Sequence, residues 1–323
     1  MVPRLLFLFS TFSLTFLYGL CSIWAEAPKT AKIAFWADRE GTRDIYLMNP
    51  DGSQQVKITH HRSQNITPVW SPTGEQILFV SDRDGAWDLY LMDPDGENVK
   101  RVFGKEALRV GPAWSPDGKQ IAYSRIIRDE QVVHVATLGE EDEERIAIGG
   151  PATWSPDGME LALITGWAEK MQITLFNLRT RNQKPLFPAK AIPSWLPGVK
   201  WSPTGDKLAF SWLHRVPLKD FVEKETIYTV NRDGTGVTQI IDEAGPRATS
   251  VVWSPRGDAL LYKRFVGLKS FHIFKVNLDG GQSEQLTHVG SNHLGDWFDP
   301  AYALPVSPQP QLLTTLWGKL KRE

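Results

Sequence analysis

Cysteine is nearly absent from this chain. Cys21 is the single one in 323 residues, so no disulfide can form within one molecule. An excess of one charge is missing too: 36 Lys and Arg stand against 37 Asp and Glu, which argues against a nucleic-acid or anionic-membrane surface. Familiar catalytic signatures are also lacking. The chain has no G-x-S-x-G elbow, no H-E-x-x-H pair and no phosphate-cradling glycine loop, the arrangements that hold a nucleophile, a zinc ion or a nucleotide. No catalytic residue, metal or cofactor is therefore expected. Long apolar runs are confined to Leu5–Trp24, preceded by the lone basic residue Arg4. With small residues at Ala25 and Ala27, residues 1–25 read as an export signal cut after Ala25. The competing reading is an uncleaved anchor, because the run is almost long enough to span a bilayer. Tyr18-Gly19-Leu20 matches a lipidation signal at Cys21 poorly. The expected product is exported, periplasmic or extracellular, without cysteine or a transmembrane span.

What the chain does have is a repeat. Trp-Ser-Pro-x-Gly occurs at Trp70, Trp114, Trp154, Trp201 and Trp253, with spacings of 44, 40, 47 and 52 residues. A period near 40–45 residues with several short strands per unit predicts the blades of a β-propeller. In one unit, Pro68-Val69-Trp70 ends a strand and Ser71-Pro72-Thr73-Gly74 turns the chain, with Pro fixing one corner and Gly taking a left-handed one. Ile77–Val80 reads as a strand buried on both faces. Ser81–Gly85 turns again, Asp88–Met92 is a third strand, and Asp93-Pro94-Asp95-Gly96 leads to a fourth. Six sets of outer strands can be found, but only five Trp-Ser-Pro inner strands. The sixth is Gly295–Pro300, whose Trp297 lies 44 residues after Trp253. The fold class expected is all-β: a six-bladed propeller over residues 31–300, closed by pairing the C-terminal strand (294–300) with the N-terminal blade (31–59). Closure of this kind removes exposed sheet edges. Residues 301–323 read as a proline-rich tail with a short amphipathic helix, whose docking on the ring is the default expectation.

The run from Thr59-His60-His61 through Asn65 to Pro68-Val-Trp-Ser-Pro-Thr-Gly, then Phe79-Val-Ser-Asp-Arg-Asp-Gly and Asp88-Leu-Tyr-Leu-Met-Asp-Pro-Asp-Gly, resembles the propeller repeat of the TolB-like family. The resemblance covers roughly residues 31–300. It implies a six-bladed, exported, non-enzymatic binding protein, since TolB itself binds an outer-membrane lipoprotein within the Tol-Pal system. It departs in one respect. The α/β domain that precedes the propeller in TolB has no counterpart between the signal segment and Lys32-Ile33, so a direct Tol-Pal role is not expected. The same repeat also decorates peptidases and sugar lyases, so it points to a fold more firmly than to a task.

The repeat also distinguishes the two ends of the ring. The Ser-Pro-x-Gly and Asn/Asp-x-Asp-Gly turns are short and alike and share one end. The second-to-third connections vary in length, and with the blade-to-blade connections they share the other, where recognition is expected. Five of the seven histidines fall there: His60, His61, His214, His288 and His293. Because they flank the first blade, His60, His61, His288 and His293 are expected to be neighbours. A metal or anion site is the sharp reading of them; loop residues that satisfy backbone groups are the plain one. Trp167, Trp212 and Arg215 complete the candidate set, and Ser211–Thr226, read as the longest loop, is the first candidate for partner contact. His134 and His272 should be packed in third strands. Asp44 and Asp88 should bind turn amides or pair with Arg39 and Arg83. The partner expected is an envelope protein or glycan, bound by a monomer; the alternative function is a propeller-type lyase or hydrolase of oligosaccharides.

Overall fold

A computed structural model describes residues 26–39, 41–166, 171–187, 198–215, 223–267 and 270–305, the side chains of residues 214, 215 and 223 excepted. The expected export segment, Trp167, the His214 and Arg215 side chains and the expected tail helix lie outside what is described. Among the described residues, no helix is long and apolar enough to cross a membrane.

Among the described residues, twenty-four strands form six antiparallel sheets of four, the blades of a propeller. Blade 1 contains β1 (Lys32–Arg39), β2 (Thr42–Met48) and β3 (Val56–Lys57). Blade 2 is β4 (Asn65–Trp70), β5 (Ile77–Ser81), β6 (Asp88–Met92) and β7 (Lys100–Arg101). Blade 3 is β8 (Arg109–Trp114), β9 (Gln120–Ile127), β10 (Glu130–Thr137) and β11 (Glu143–Ile148). Blade 4 is β12 (Ala152–Trp154), β13 (Glu160–Thr165), β14 (Gln172–Asn177) and β15 (Gln183–Pro185). Blade 5 is β16 (Val199–Trp201), β17 (Lys207–Arg215), β18 (Glu223–Asn231) and β19 (Thr238–Gln239). Blade 6 is β20 (Ala248–Trp253), β21 (Ala259–Val266), β22 (Ser270–Asn277) and β23 (Glu284–Gln285). The last strand, β24 (Ser291–Phe298), returns to blade 1 and pairs with β1, giving the order β24-β1-β2-β3. It starts and ends slightly earlier than the sequence suggested. Trp297 faces Ile33 as Trp70 faces Ile77, so it occupies the sixth repeat position.

The core is divided into six wedges, one between each pair of adjacent blades. Each repeat tryptophan is built into a wedge; Trp201, for example, packs with Ile164, Ile173 and Leu175 of the preceding blade. Blades covered on both faces explain why Ile77–Val80 is an unbroken apolar run with every side chain fully buried. The serine of the repeat has a fixed task. Its Oγ accepts the amide five residues on, from Gln76, Gln120, Glu160, Lys207 and Ala259 in turn, at 2.9–3.1 Å. The turn glycines then approach the preceding blade: Gly118, Gly158, Gly205 and Gly257 lie over Pro72, Pro116, Pro156 and Pro203. At the closing blade the ladder changes, and the Phe298 ring lies over Gly74 too closely to admit a Cβ there.

The second-to-third connections differ from the loops expected. They are largely hairpins: β9 and β10 pair as far as Ile127↔Glu130, β17 and β18 as far as Arg215↔Glu223, and β21 and β22 as far as Val266↔Ser270. Within Ser211–Thr226, the described residues 211–215 and 223–226 are therefore strand, paired from Trp212↔Thr226 to Arg215↔Glu223.

Candidate ligand-binding mouth

The two ends of the ring are chemically different. At the turn end, the six repeat tryptophans and their neighbouring prolines surround a cavity of about 270 Å³ on the ring axis. Preceding the tryptophans are Val69, Ala113, Thr153, Lys200, Val252 and Asp296. Asp296 acts as a clip across the closing interface. Its Oδ2 accepts from Trp70 N at 3.0 Å and its Oδ1 from Trp297 N at 2.9 Å. Burial raises its pKa, against the opposing effects of Lys200 and these two amides. Asp296→Ala should leave both amides without their acceptor and cost about 2–4 kcal/mol. Asp296→Asn should cost less, because an amide oxygen keeps one bond. Guanidinium midpoints of the two variants, measured side by side, test this ordering.

At the hairpin end, between blades 6 and 1, charged and aromatic side chains converge. His293 of β24 stacks on Trp36 of β1, with ring centroids 3.8 Å apart and planes within 6°. Lys263 of β21 points its ammonium at His293 Nδ1, 3.2 Å away, and at the Phe271 ring, 4.7 Å from the centroid. An ammonium can only donate, so Nδ1 accepts and Nε2–H donates to Ser291 Oγ at 3.3 Å. That oxygen also accepts from Phe271 N at 3.2 Å. Phe265 packs on Phe271 at 4.0 Å, and Arg247 lies over Phe265 at 5.0 Å while pairing with Glu225 at 2.8 Å. Arg43 lies 5.7 Å from the Trp36 ring, with Asp38 3.8 Å away.

Burial, with Lys263 and Arg43 nearby, lowers the His293 pKa to about 3. Burial also lowers that of Lys263, to about 8, against a weaker pull from Glu225. His134 and His272 are lowered by burial too. The folded chain therefore resists protonation at three imidazoles that the unfolded chain protonates below pH 6.5. Stability from these groups is complete above pH 6.5 and is lost as pH falls toward the folded values. Replacing His293 with Gln should flatten the pH dependence of stability by up to about 1 kcal/mol per pH unit. The window to read is pH 6.5 to 4.5, above the range in which Glu143 titrates. Unfolding curves of both proteins across that window provide the check.

His60, His61 and His288 are exposed, and His61 Nδ1 bonds Ser63 of its own turn. Among the described residues, no group of three His, Cys, Asp or Glu side chains is placed to hold a metal. His293 belongs to a strand instead of a loop. Trp212 is half-buried and packs 5.4 Å from Tyr228, covering the blade 5 core. His134 and His272 are buried in their third strands. The arginine partners of the acidic residues are not those expected: Asp44 binds Thr42, Thr59 and Lys57, while Asp88 accepts from the backbone amides of Leu89 and Ala107 and pairs with Arg101 and Arg109. Arg39 and Arg83 instead reach Asn292 and Asn65 at the starts of inner strands, each at 3.0 Å. Sequence reading passed over Lys263, Trp36 and Arg43. The one available signal was a lysine between Tyr262 and Arg264 in a strand otherwise suited to burial.

The model of the TolB beta propeller domain (PD40) matches residues 14–149 and 86–300. The chain belongs to this family. Two curated relatives share a short segment with it: the Tol-Pal system protein TolB of Syntrophotalea carbinolica, 37% identical, and that of Geobacter sulfurreducens, 41% identical, each over 51 residues. That segment is 16% of this chain and 12% of each relative. Among solved structures, TolB from Acinetobacter baumannii superimposes with a TM-score of 0.69 at 19% identity, covering 83% of this chain and 66% of that one. A putative TolB from Agrobacterium tumefaciens gives 0.64 at 18%, covering 87% of this chain and all of the other. An oligogalacturonate lyase in complex with manganese gives 0.51 at 18%, covering 81% and 74%. At these identities the structural likeness establishes the propeller fold and nothing finer.

Proposed function

We propose that this TolB-like propeller is an exported, non-enzymatic scaffold of the cell envelope that binds a protein partner through its hairpin end. One observation carries this reading: the asymmetry of the ring. The turn end is built from near-identical short turns, whereas the opposite end carries hairpins of unequal length around half-exposed Trp36, Phe265, Phe271 and His293. The hairpins bring Ile127 and Val266, each 39% exposed, to their tips. Rigid blades that present variable projections suit recognition, and exposed apolar groups beside cations suit an interface core with a polar rim. The relatives' place in the Tol-Pal system supports an envelope partner. A crosslinking pull-down with residues 26–323 against the producing cell's envelope fraction tests the reading. A partner that is captured reproducibly and lost when the 211–226 hairpin is shortened would support it. Capture that is indifferent to every hairpin would sink it.

A second reading, an oligosaccharide lyase, draws on Lys263, whose amine pKa is lowered to about 8 and which is held by His293 Nδ1, a group that could remove and return a proton. It predicts unsaturated products from acidic oligosaccharides, followed by ultraviolet absorbance, and their loss in His293→Ala. No absorbance change with the unaltered protein would dismiss it.

A further inference from the structure

We infer that Lys263 is a carboxylate anchor, receiving an acidic side chain of the protein partner in the mouth between blades 6 and 1. This rests on the scaffold reading and specifies which chemistry the mouth selects. Lys263 is half-buried at the base of the β21–β22 hairpin, and none of the described carboxylates lies within ion-pair distance of it. The carboxylate that acts on it electrostatically, Glu225, is itself buried beyond ion-pair distance, with Oε2 accepting from Arg247 at 2.8 Å. Of the three ammonium protons, one goes to His293 Nδ1 and one face meets the Phe271 ring. Neither partner carries a negative charge. His293 supplies none, since an imidazole is either neutral or cationic, and its second nitrogen keeps its proton, donated to Ser291 Oγ.

A desolvated cation without a counter-ion is costly, and its lowered pKa is the expected symptom. Arg43 adds a second positive group at the same mouth, 44% exposed and only loosely paired with Asp38. An arriving carboxylate would meet Lys263 in a part-dry setting, where a charge-assisted hydrogen bond is stronger than at an open surface.

The aromatic groups favour a peptide over a sugar acid. A pyranose needs a broad free ring face. Trp36 has His293 parallel to it at 3.8 Å and Arg43 at 5.7 Å, while Phe271 has Lys263 at 4.7 Å and Phe265 at 4.0 Å. What remains is a set of ring edges rimmed by the apolar Val266 tip, which suits aliphatic side chains flanking an Asp or Glu.

The test is competitive amine labelling of the full chain, read by peptide mass spectrometry at fixed ionic strength. N-acetyl-glutamate amide, N-acetyl-glutamine amide and galacturonic acid serve as probes. The expected result is that the glutamate compound slows acetylation of Lys263 severalfold, the glutamine compound does not, and Lys57, already paired with Asp44, is unaffected by either. Equal protection by both amides, or none, overturns the anchor. Stronger protection by galacturonic acid overturns the peptide assignment in favour of a sugar acid. In the pull-down, Lys263→Met should release the partner and Lys263→Arg should retain it, with circular dichroism confirming that both variants fold. A partner held equally well by Lys263→Met leaves the scaffold standing and removes the anchor. Glutamate-specific protection with no partner captured leaves the anchor standing and removes the scaffold.

Discussion

Replacing Arg109 with methionine is expected to cost the fold about 3–5 kcal/mol, read as a lowered denaturant midpoint. Arg109 is 1% exposed and sits between two carboxylates. Its Nη1 donates to Asp88 at 3.0 and 3.1 Å, and its Nη2 and Nε donate to Glu143 at 2.7 and 3.1 Å. Tyr123 closes the network with a 2.6 Å bond to Glu143. Burial opposes every charge in it. For Arg109 the bonds from Glu143 and Asp88 outweigh that cost and raise its pKa, and for Glu143 the bonds from Arg109 and Tyr123 lower its pKa. Removing the arginine leaves Asp88, fully buried, with Arg101 at 3.2 Å as its remaining ion-pair partner among the described residues, beside the amides of Leu89 and Ala107. Lysine cannot serve both carboxylates with a forked head, so Arg109→Lys should recover only part of the loss. Arg43→Met provides the contrast: its pair is exposed and 3.8 Å long, and the expected loss is under about 1 kcal/mol. If Arg109→Met lost no more than Arg43→Met, the buried network would have no special weight. The Glu143 contribution is present above pH 4.5 and is lost as pH falls through its lowered value.

The second large effect concerns closure. A chain stopped at Gly290 lacks β24, and with it the pairing of β1 from Lys32 to Asp38. It also loses Phe298, 5% exposed and 5.3 Å from Trp70, and the Asp296 clip to blade 2. No cooperative monomer is expected: such chains should elute as dimers or aggregates, because the open β1 edge is a template for pairing. A chain stopped at Leu304 keeps every β24 contact and provides the control. Phe298→Ala in the full chain should cost about 3–5 kcal/mol. Size-exclusion chromatography with light scattering decides the first outcome and denaturant titration the second. A well-behaved monomer ending at Gly290 would mean that five and three-quarter blades suffice.

The fold was readable because it repeats. Five copies of Trp-Ser-Pro-x-Gly set the period, and Trp297 fell at the next interval without the rest of the motif. Turn chemistry is local, so proline and glycine at set offsets betray it. The mouth was less legible because its members come from four strands at opposite ends of the chain: Trp36, Lys263, Phe271 and His293. His293 was singled out, though as a loop residue grouped with His60, His61 and His288. Its actual neighbours are set by the register of β24 on β1, with Trp36 opposite His293, a long-range pairing that no local pattern encodes. The projecting hairpins were taken for loops because apolar and polar residues do not alternate along their outer ends, as in Lys263-Arg264-Phe265-Val266. The partners of Asp88 were missed for a similar reason: Arg109 lies 21 residues away, in the next blade.

Closure and the mouth share one strand. Ser291 and His293 come from the final strand, while Trp36 and Arg43 come from the first two, so the socket does not exist until the last blade has been completed. Synthesis delivers the N-terminal part of this socket long before the C-terminal part. A copy cut short by premature termination or by proteolysis near Gly290 would be blind to its ligand, however well its other five blades formed. Occupancy would also act in the opposite direction: a ligand held by both ends of the chain works as a latch, slowing release of β24 by mass action. Ligand recognition in this propeller is thus a certificate that the polypeptide is whole.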